Sequence, residues 1–164
     1  MYKKEIERKF LVNRSLIPDI TKYPSIIITQ GYLSSIYDLL EVRVRSEEID
    51  NNIEYYLILK DSGTKIRNEI CYKISKDEFD ISIQLCGNKI INKIRYKIPH
   101  SKDNSKILEL DIYSDIDLIV CEYEGESEID VDTLIPEEWF IKDITEDSKY
   151  KNFNIAMNLQ DFKK

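Results

Sequence analysis

The 164 residues have the length of one ordinary domain, and 42% hydrophobic side chains suffice for a sizeable core, which excludes a disordered chain. A formal net charge of −7 argues against general nucleic-acid binding, which depends on Lys and Arg displacing phosphate counterions. Charged residues nonetheless reach 34%, above the usual quarter, and their placement decides the reading.

The dominant signal is period-two alternation, the mark of strands with two unlike faces. From Glu5 to Phe10 the odd positions are all charged. A short helix is predicted from Leu16 to Lys22, then a short strand from Thr29 to Leu33. Glu41 to Arg45 alternates again, with Val42 and Val44 on the other face. Tyr55 to Lys60 is a more apolar strand, followed by a hairpin turn at Asp61-Ser62-Gly63-Thr64 and a further strand from Lys65 to Ile70. Ser75 and Glu78 form a capping box that opens a helix through Gln84, with Gly87 past its end. Strands follow at Lys93 to Ile98, Leu108 to Ile112 and Cys121 to Glu126. Helices are predicted near Asp130 to Ile135 and from Asn154 to Phe162. Eight strands and a few helices make a mainly β, α+β chain, read as one domain over 1–164.

A sheet with one wet face also alternates, but its strands usually mix charge signs. Here the signs are sorted by strand. Glu5 and Glu7, Glu109 and Asp111, and Glu122 and Glu124 are acidic pairs at spacing i, i+2. Arg43 and Arg45, Lys65 and Arg67, and Lys93 and Arg95 are basic pairs at the same spacing. The alternate face carries Ile6, Phe10, Val44, Ile66, Ile70, Ile94, Leu110 and Ile112, which would pack against helices. A closed antiparallel barrel with charges inside and helices outside accounts for both faces. Clustered guanidiniums and ammoniums want an anion with several oxygens, and clustered carboxylates want a hard divalent cation. A metal-complexed polyphosphate supplies both.

Other chemistries lack material. His100 follows Pro99 and reads as a loop residue, no Gly-rich phosphate loop exists, and Trp139 and Phe140 read as packing. Cys71, Cys86 and Cys121 form no Cys-x-x-Cys pair and read as free, buried thiols in a reducing cytosol. No apolar leader or membrane-length run is present, so a soluble cytoplasmic protein without a membrane partner is expected. Lys3, Lys4, Lys163 and Lys164 read as solvated tails.

Block by block, the sequence resembles the CYTH superfamily, the triphosphate tunnel metalloenzymes. The resemblance rests on EIERKFLV (5–12), QGYLS (30–34), VRVRS (42–46), Lys60, Arg67, KIRY (93–96), LELDIY (108–113), CEYEGE (121–126) and the closing 139–152. It is similar above all to the short bacterial inorganic triphosphatases. That resemblance implies an eight-stranded tunnel that hydrolyses a triphosphate with Mg2+ or Mn2+. It implies Glu5, Glu7, Glu122 and Glu124, assisted by Asp111, as metal ligands. It implies Lys9, Arg43, Arg45, Lys60, Lys93, Arg95 and Arg67 as phosphate ligands, and a catalytic Lys9–Tyr32 dyad. One metal would bridge phosphate oxygens and a second would orient the attacking water. A general-base Lys9 would need a pKa well below the free value near ~10.4. Cys71 and Ile94 depart from the family pattern beside the site.

The substrate expected is inorganic tripolyphosphate. Alternatives on the same fold are ATP cyclisation and hydrolysis of nucleoside or thiamine triphosphate; a noncatalytic polyphosphate-binding module is a third, disfavoured because both charge sets are retained. The protein is expected as a monomer or homodimer.

Overall fold

The computed structural model describes residues 1–36 and 40–163, without the side chains of residues 34–36; Ser34 of the QGYLS block and the tail residue Lys164 thus fall outside the described side chains. Nine antiparallel strands form one sheet: β1 (Tyr2–Val12), β2 (Ser25–Ile36), β3 (Leu40–Ile49), β4 (Asn52–Asp61), β5 (Ile66–Ile74), β6 (Ile90–His100), β7 (Asp103–Tyr113), β8 (Ile119–Glu124) and β9 (Phe140–Asp143). Their order is β5-β4-β3-β2-β6-β7-β8-β1-β9. The sheet closes through β1, whose Tyr2–Ile6 half pairs with β5 and whose Glu7–Leu11 half pairs with β8. The eight expected strands are the barrel. The ninth, β9, lies against Phe10–Val12.

Turn chemistry fixes the hairpins. Asp50 and Asn51 join β3 to β4 with φ of 49° and 66°, a conformation that Asp and Asn tolerate. Gly63, at φ 140°, turns β4 toward β5 where an added Cβ would lie 2.3 Å from the Ile66 carbonyl oxygen.

Helix α1 (Lys76–Leu85) has the predicted capping box, with Ser75 and Glu78 satisfying each other's backbone N–H groups. Its Phe79 packs with Val44, Tyr55 and Leu57 on the outer wall. Helix α2 (Glu128–Asp132) starts two residues before the predicted Asp130, capped by Ser127, and ends three residues short of the predicted Ile135. Instead of a helix over Leu16 to Lys22 there is only a 3-10 turn at Ile20–Lys22. Pro18 lacks the N–H and turns Ile17 away from helical angles, and the Asp19 side chain caps Thr21. Near the C-terminus, helix α3 (Asn152–Met157) and a 3-10 turn at Leu159–Phe162 replace one continuous helix.

Helix α3 does not sit on the outer wall. Its Ile155 and Ala156 pack with Tyr32, Ile91, Tyr113, Val120 and Ile144. By strand parity Tyr32, Ile91, Tyr113 and Val120 face inward, so one end of the bore is apolar and filled by the C-terminal segment. The other end is charged. Five further expectations are corrected. Ile70 is exposed on the outer face. Lys65 precedes β5 and turns outward to Asp132 at 2.8 Å, which separates it from Arg67. His100 is buried at the end of β6, its Nε2 2.8 Å from the Ile135 carbonyl, because strand pairing carries it under the Ile135–Glu137 segment. Cys71 is half-buried rather than buried. Lys3 belongs to the site, as described below.

Gly31 lets α1 approach β2, since a Cβ there would meet Ile83 at 2.6 Å and Cys86 at 2.7 Å. Gly31→Ala is expected to lower unfolding stability by ~1–3 kcal/mol through overpacking, read as a drop in the urea midpoint.

Candidate active site

The charged end encloses a cavity of about 180 Å3 lined almost wholly by ionic side chains from β1, β3, β4, β5, β6, β7 and β8, with a floor of residues 144–152. Strand register explains who meets whom. Glu7 stands opposite Glu124 and Lys9 opposite Glu122. Tyr32 and Gln30 on β2 stand opposite Arg43 and Arg45 on β3, and Arg95 stands opposite Asp111.

Most of the residues expected from the sequence converge here. Glu5, Glu7, Lys9, Arg43, Arg45, Lys60, Arg67, Arg95, Glu122 and Glu124 all line the cavity. Lys60 pairs with Glu5, and with Glu69 at 3.1 Å; Arg43 reaches the same Glu69 at 3.2 Å. Lys9 pairs with Glu122 at 2.6 Å. Arg95 spans Glu109, Asp111 and Glu122. Arg67 is held at the Asp61 carbonyl and pairs with Glu41 at 2.8 Å.

Two expected residues stand behind the wall. Lys93 and Asp111 have fully buried side chains 2.5 Å apart and do not line the cavity. Asp111 accepts from Arg95 Nε at 2.6 Å and Nη2 at 2.7 Å, so its oxygens hold the Arg95 fork rather than face a bound ion. Burial pulls Lys93 down to about 8, opposed by Asp111, which leaves it an ammonium at neutral pH.

The Lys9–Tyr32 dyad is not formed. Tyr32 is fully buried, its hydroxyl accepts from Gln30 at 2.7 Å and it lies beside the Arg43 guanidinium. Lys9 turns instead to Glu122, Glu7 and the Tyr150 carbonyl. Burial raises the Tyr32 phenol to about 12. Burial also opposes the Lys9 ammonium, but Glu122 and Glu7 outweigh it and raise its pKa.

Several wall residues were not anticipated. Lys3 pairs with Glu124 at 2.8 Å and Glu5 at 3.3 Å, because the β1–β5 pairing continues to the N-terminus. Glu69 carries the i, i+2 parity of Arg67, a signal that could have placed it, while Glu109 lines the wall as its acidic pair with Asp111 implied, though no ligand role was expected of it. Gln30 carried no charge signal, and the floor residues Thr145 and Asn152 lie outside any alternation.

The donor chemistry fits a hard divalent cation. Glu7 faces Glu124 and Glu109 faces Glu122, like charges directly across strands, which repel unless a cation lies between them. Burial and then Glu122 raise the Glu7 carboxyl above its ordinary range. Among the described residues no three such ligands already close on one point, since lysines and arginines occupy the carboxylates.

No family model matches the chain. An inorganic triphosphatase of Nitrosomonas europaea is 32% identical over 159 residues, covering 94% of this chain and 98% of that protein. The chain belongs to the inorganic triphosphatases. A second triphosphatase, of Acetivibrio thermocellus, is 30% identical and covers 94% of each. A crystal structure of an inorganic triphosphatase matches at 30% identity with a TM-score of 0.68, over 93% of this chain and 94% of that one. Like those relatives this triphosphatase-family chain is a hydrolytic enzyme. Among its described residues no helix is long and apolar enough to cross a membrane.

The ion pairs make the fold acid-sensitive. Burial opposes the Glu5 carboxylate, but Lys60 and Arg43 outweigh it and bring its pKa to about 2; Glu122 and Asp111 are lowered as well. Their stabilisation is complete above the unfolded value of 4.5 for Glu5 and is lost as pH falls toward about 2, while the raised Glu7 works in the opposite sense. The urea midpoint is expected to fall steeply between about pH 4.5 and pH 2.5, and Glu5→Gln to flatten that slope.

Proposed function

We propose that the cavity binds inorganic tripolyphosphate and that the chain hydrolyses it to pyrophosphate and phosphate with a divalent cation. The observation that carries this reading is Arg43 Nε, a buried donor with no hydrogen-bond partner among the described residues, on a guanidinium that forms part of the cavity wall. An unpaired buried N–H costs about 1–3 kcal/mol, and an oxyanion in the cavity removes that cost. Arg45, Lys60, Lys9 and Arg95 surround the same space, so successive phosphoryl groups find cations along it.

Glu5, Glu7, Glu122 and Glu124 would hold Mg2+ or Mn2+. When bound, the metal would neutralise phosphate charge and polarise water. The protein's own part is electrostatic. Lys9, paired with Glu122 at 2.6 Å on the cavity wall, serves as a fixed cation for the phosphates. Asp111 positions Arg95 and Lys93 from behind. Water attacks the terminal phosphorus, the P–O anhydride bond breaks and pyrophosphate departs. Ile26, Ile28 and Ile144 are the aliphatic surface of a wall otherwise ionic or polar, which suits a substrate that is phosphate throughout rather than one bearing adenine.

Phosphate release from tripolyphosphate, ATP and thiamine triphosphate under Mg2+ and Mn2+ tests the reading. Tripolyphosphate is expected to lead in kcat/KM by at least about tenfold, a difference of ~1.4 kcal/mol, and a chelator to stop turnover. Comparable conversion of ATP to cyclic AMP would refute it. Lys9→Ala is expected to raise KM roughly 10–100-fold through loss of a charge-assisted contact; an unchanged KM would remove Lys9 from substrate binding.

A further inference from the structure

Gln30 is an unlikely side chain for the inner wall of a barrel otherwise built of ions. It is fully buried, stands opposite Arg45 across the β2–β3 pair and lines no part of the cavity. Its Oε1 accepts from Arg45 Nε at 2.9 Å, and its Nε2 donates to the Tyr32 hydroxyl at 2.7 Å. The two bonds fix each other: once the oxygen takes Arg45, the amide nitrogen must face Tyr32. Tyr32 in turn lies beside Arg43. A chain of side chains, Arg45–Gln30–Tyr32, therefore stands behind the Arg45 guanidinium that β3 sends into the cavity.

Arg45 Nη1 is held by Glu47 at 3.0 Å. With Nε on Gln30 and Nη1 on Glu47, the plane of the guanidinium is set, and among the described residues no hydrogen bond engages Nη2. Arg45 thus has one carboxylate and one amide partner, whereas Arg95 is set by three carboxylates and Arg43 by Glu69. A carboxylate orients a guanidinium but also cancels its charge. An amide orients it and leaves the charge for a ligand.

We infer that Gln30 is a positioning residue for phosphate binding, orienting Arg45 through its Nε without adding a charge that would neutralise it. The inference rests on the tripolyphosphate reading. Its effect should appear in substrate affinity more than in turnover, because the oriented charge is present before chemistry begins.

The test combines Gln30→Leu, Arg45→Ala and the double variant. Steady-state tripolyphosphate hydrolysis is measured for each, with calorimetric binding of tripolyphosphate under metal-free conditions. Gln30→Leu is expected to raise KM and the dissociation constant about tenfold, with kcat changed less than about threefold. In the Arg45→Ala background the same change should cost less than about twofold, since the group it positions is gone. Equal, additive effects in both backgrounds, or an unchanged KM in a folded Gln30→Leu protein, would overturn the inference. If a leucine there prevents folding, Gln30→Asn keeps an amide of shorter reach, and the same rise in KM and the same non-additivity are expected of it. A wild-type protein that neither binds nor hydrolyses tripolyphosphate overturns the functional reading itself, and the inference with it; a wild-type protein that does both while the variants match it overturns the inference alone.

Discussion

Moving a charged side chain from water into a protein wall costs several kcal/mol, and the cost is recovered only where an opposite charge and hydrogen bonds await it. The closed barrel meets that condition through β1. Its inward residues Glu5 and Lys9 belong to different pairings: Glu5 lies on the half joined to β5 and meets Lys60, while Lys9 lies on the half joined to β8 and meets Glu122. Closing the sheet and pairing the charges are therefore one event. An open sheet would leave both sets facing water, and the alternation would then have no structural meaning beyond solubility.

Internal pairing is incomplete, and what remains defines the site. Lys93, Asp111 and Arg95 form a satisfied group behind or across the wall. Among the described residues Arg43 Nε has no partner, and Glu7, whose contact with Lys9 is long at 3.9 Å, faces the Lys3-bound Glu124 with its own carboxyl pushed upward by burial and Glu122. The first residue calls for an anion and the second pair for a cation. A fold that had minimised its own energy alone would replace such groups with apolar ones, so their persistence at the cavity locates the binding function.

The strands were legible because period-two alternation of charge is unambiguous when signs are sorted, and residues such as Glu5, Lys9, Arg45 and Arg95 met as their parity implied. The charge sets themselves pointed to a metal-complexed polyphosphate, and the family resemblance narrowed that expectation to a triphosphate. Helix ends were less legible: Pro18 removes a helix that composition suggested around Leu16, and Ser127 starts α2 earlier than its apolar pattern did. Alternation also says nothing about depth along the bore. Asp111 has the parity of a wall carboxylate yet stands behind Arg95, and Lys3 resembles a tail until the β1–β5 register carries it to Glu124. Nor can a period locate α3, whose place depends on the inward apolar residues Tyr32, Ile91 and Tyr113 gathering at one end.

The same limit explains why Gln30 escapes a search for charge. A carboxylate at that position would lie within hydrogen-bond reach of Arg45 Nε and would compete with any phosphate for the guanidinium. An apolar residue would fill the volume but leave Nε unpaired and the guanidinium held by Glu47 alone. An amide does neither: it satisfies Nε, is satisfied by the Tyr32 hydroxyl and adds no charge of its own. Arg45 is thus set by one carboxylate and one amide, and of the two only the amide orients the guanidinium without adding a charge that an incoming phosphate must displace.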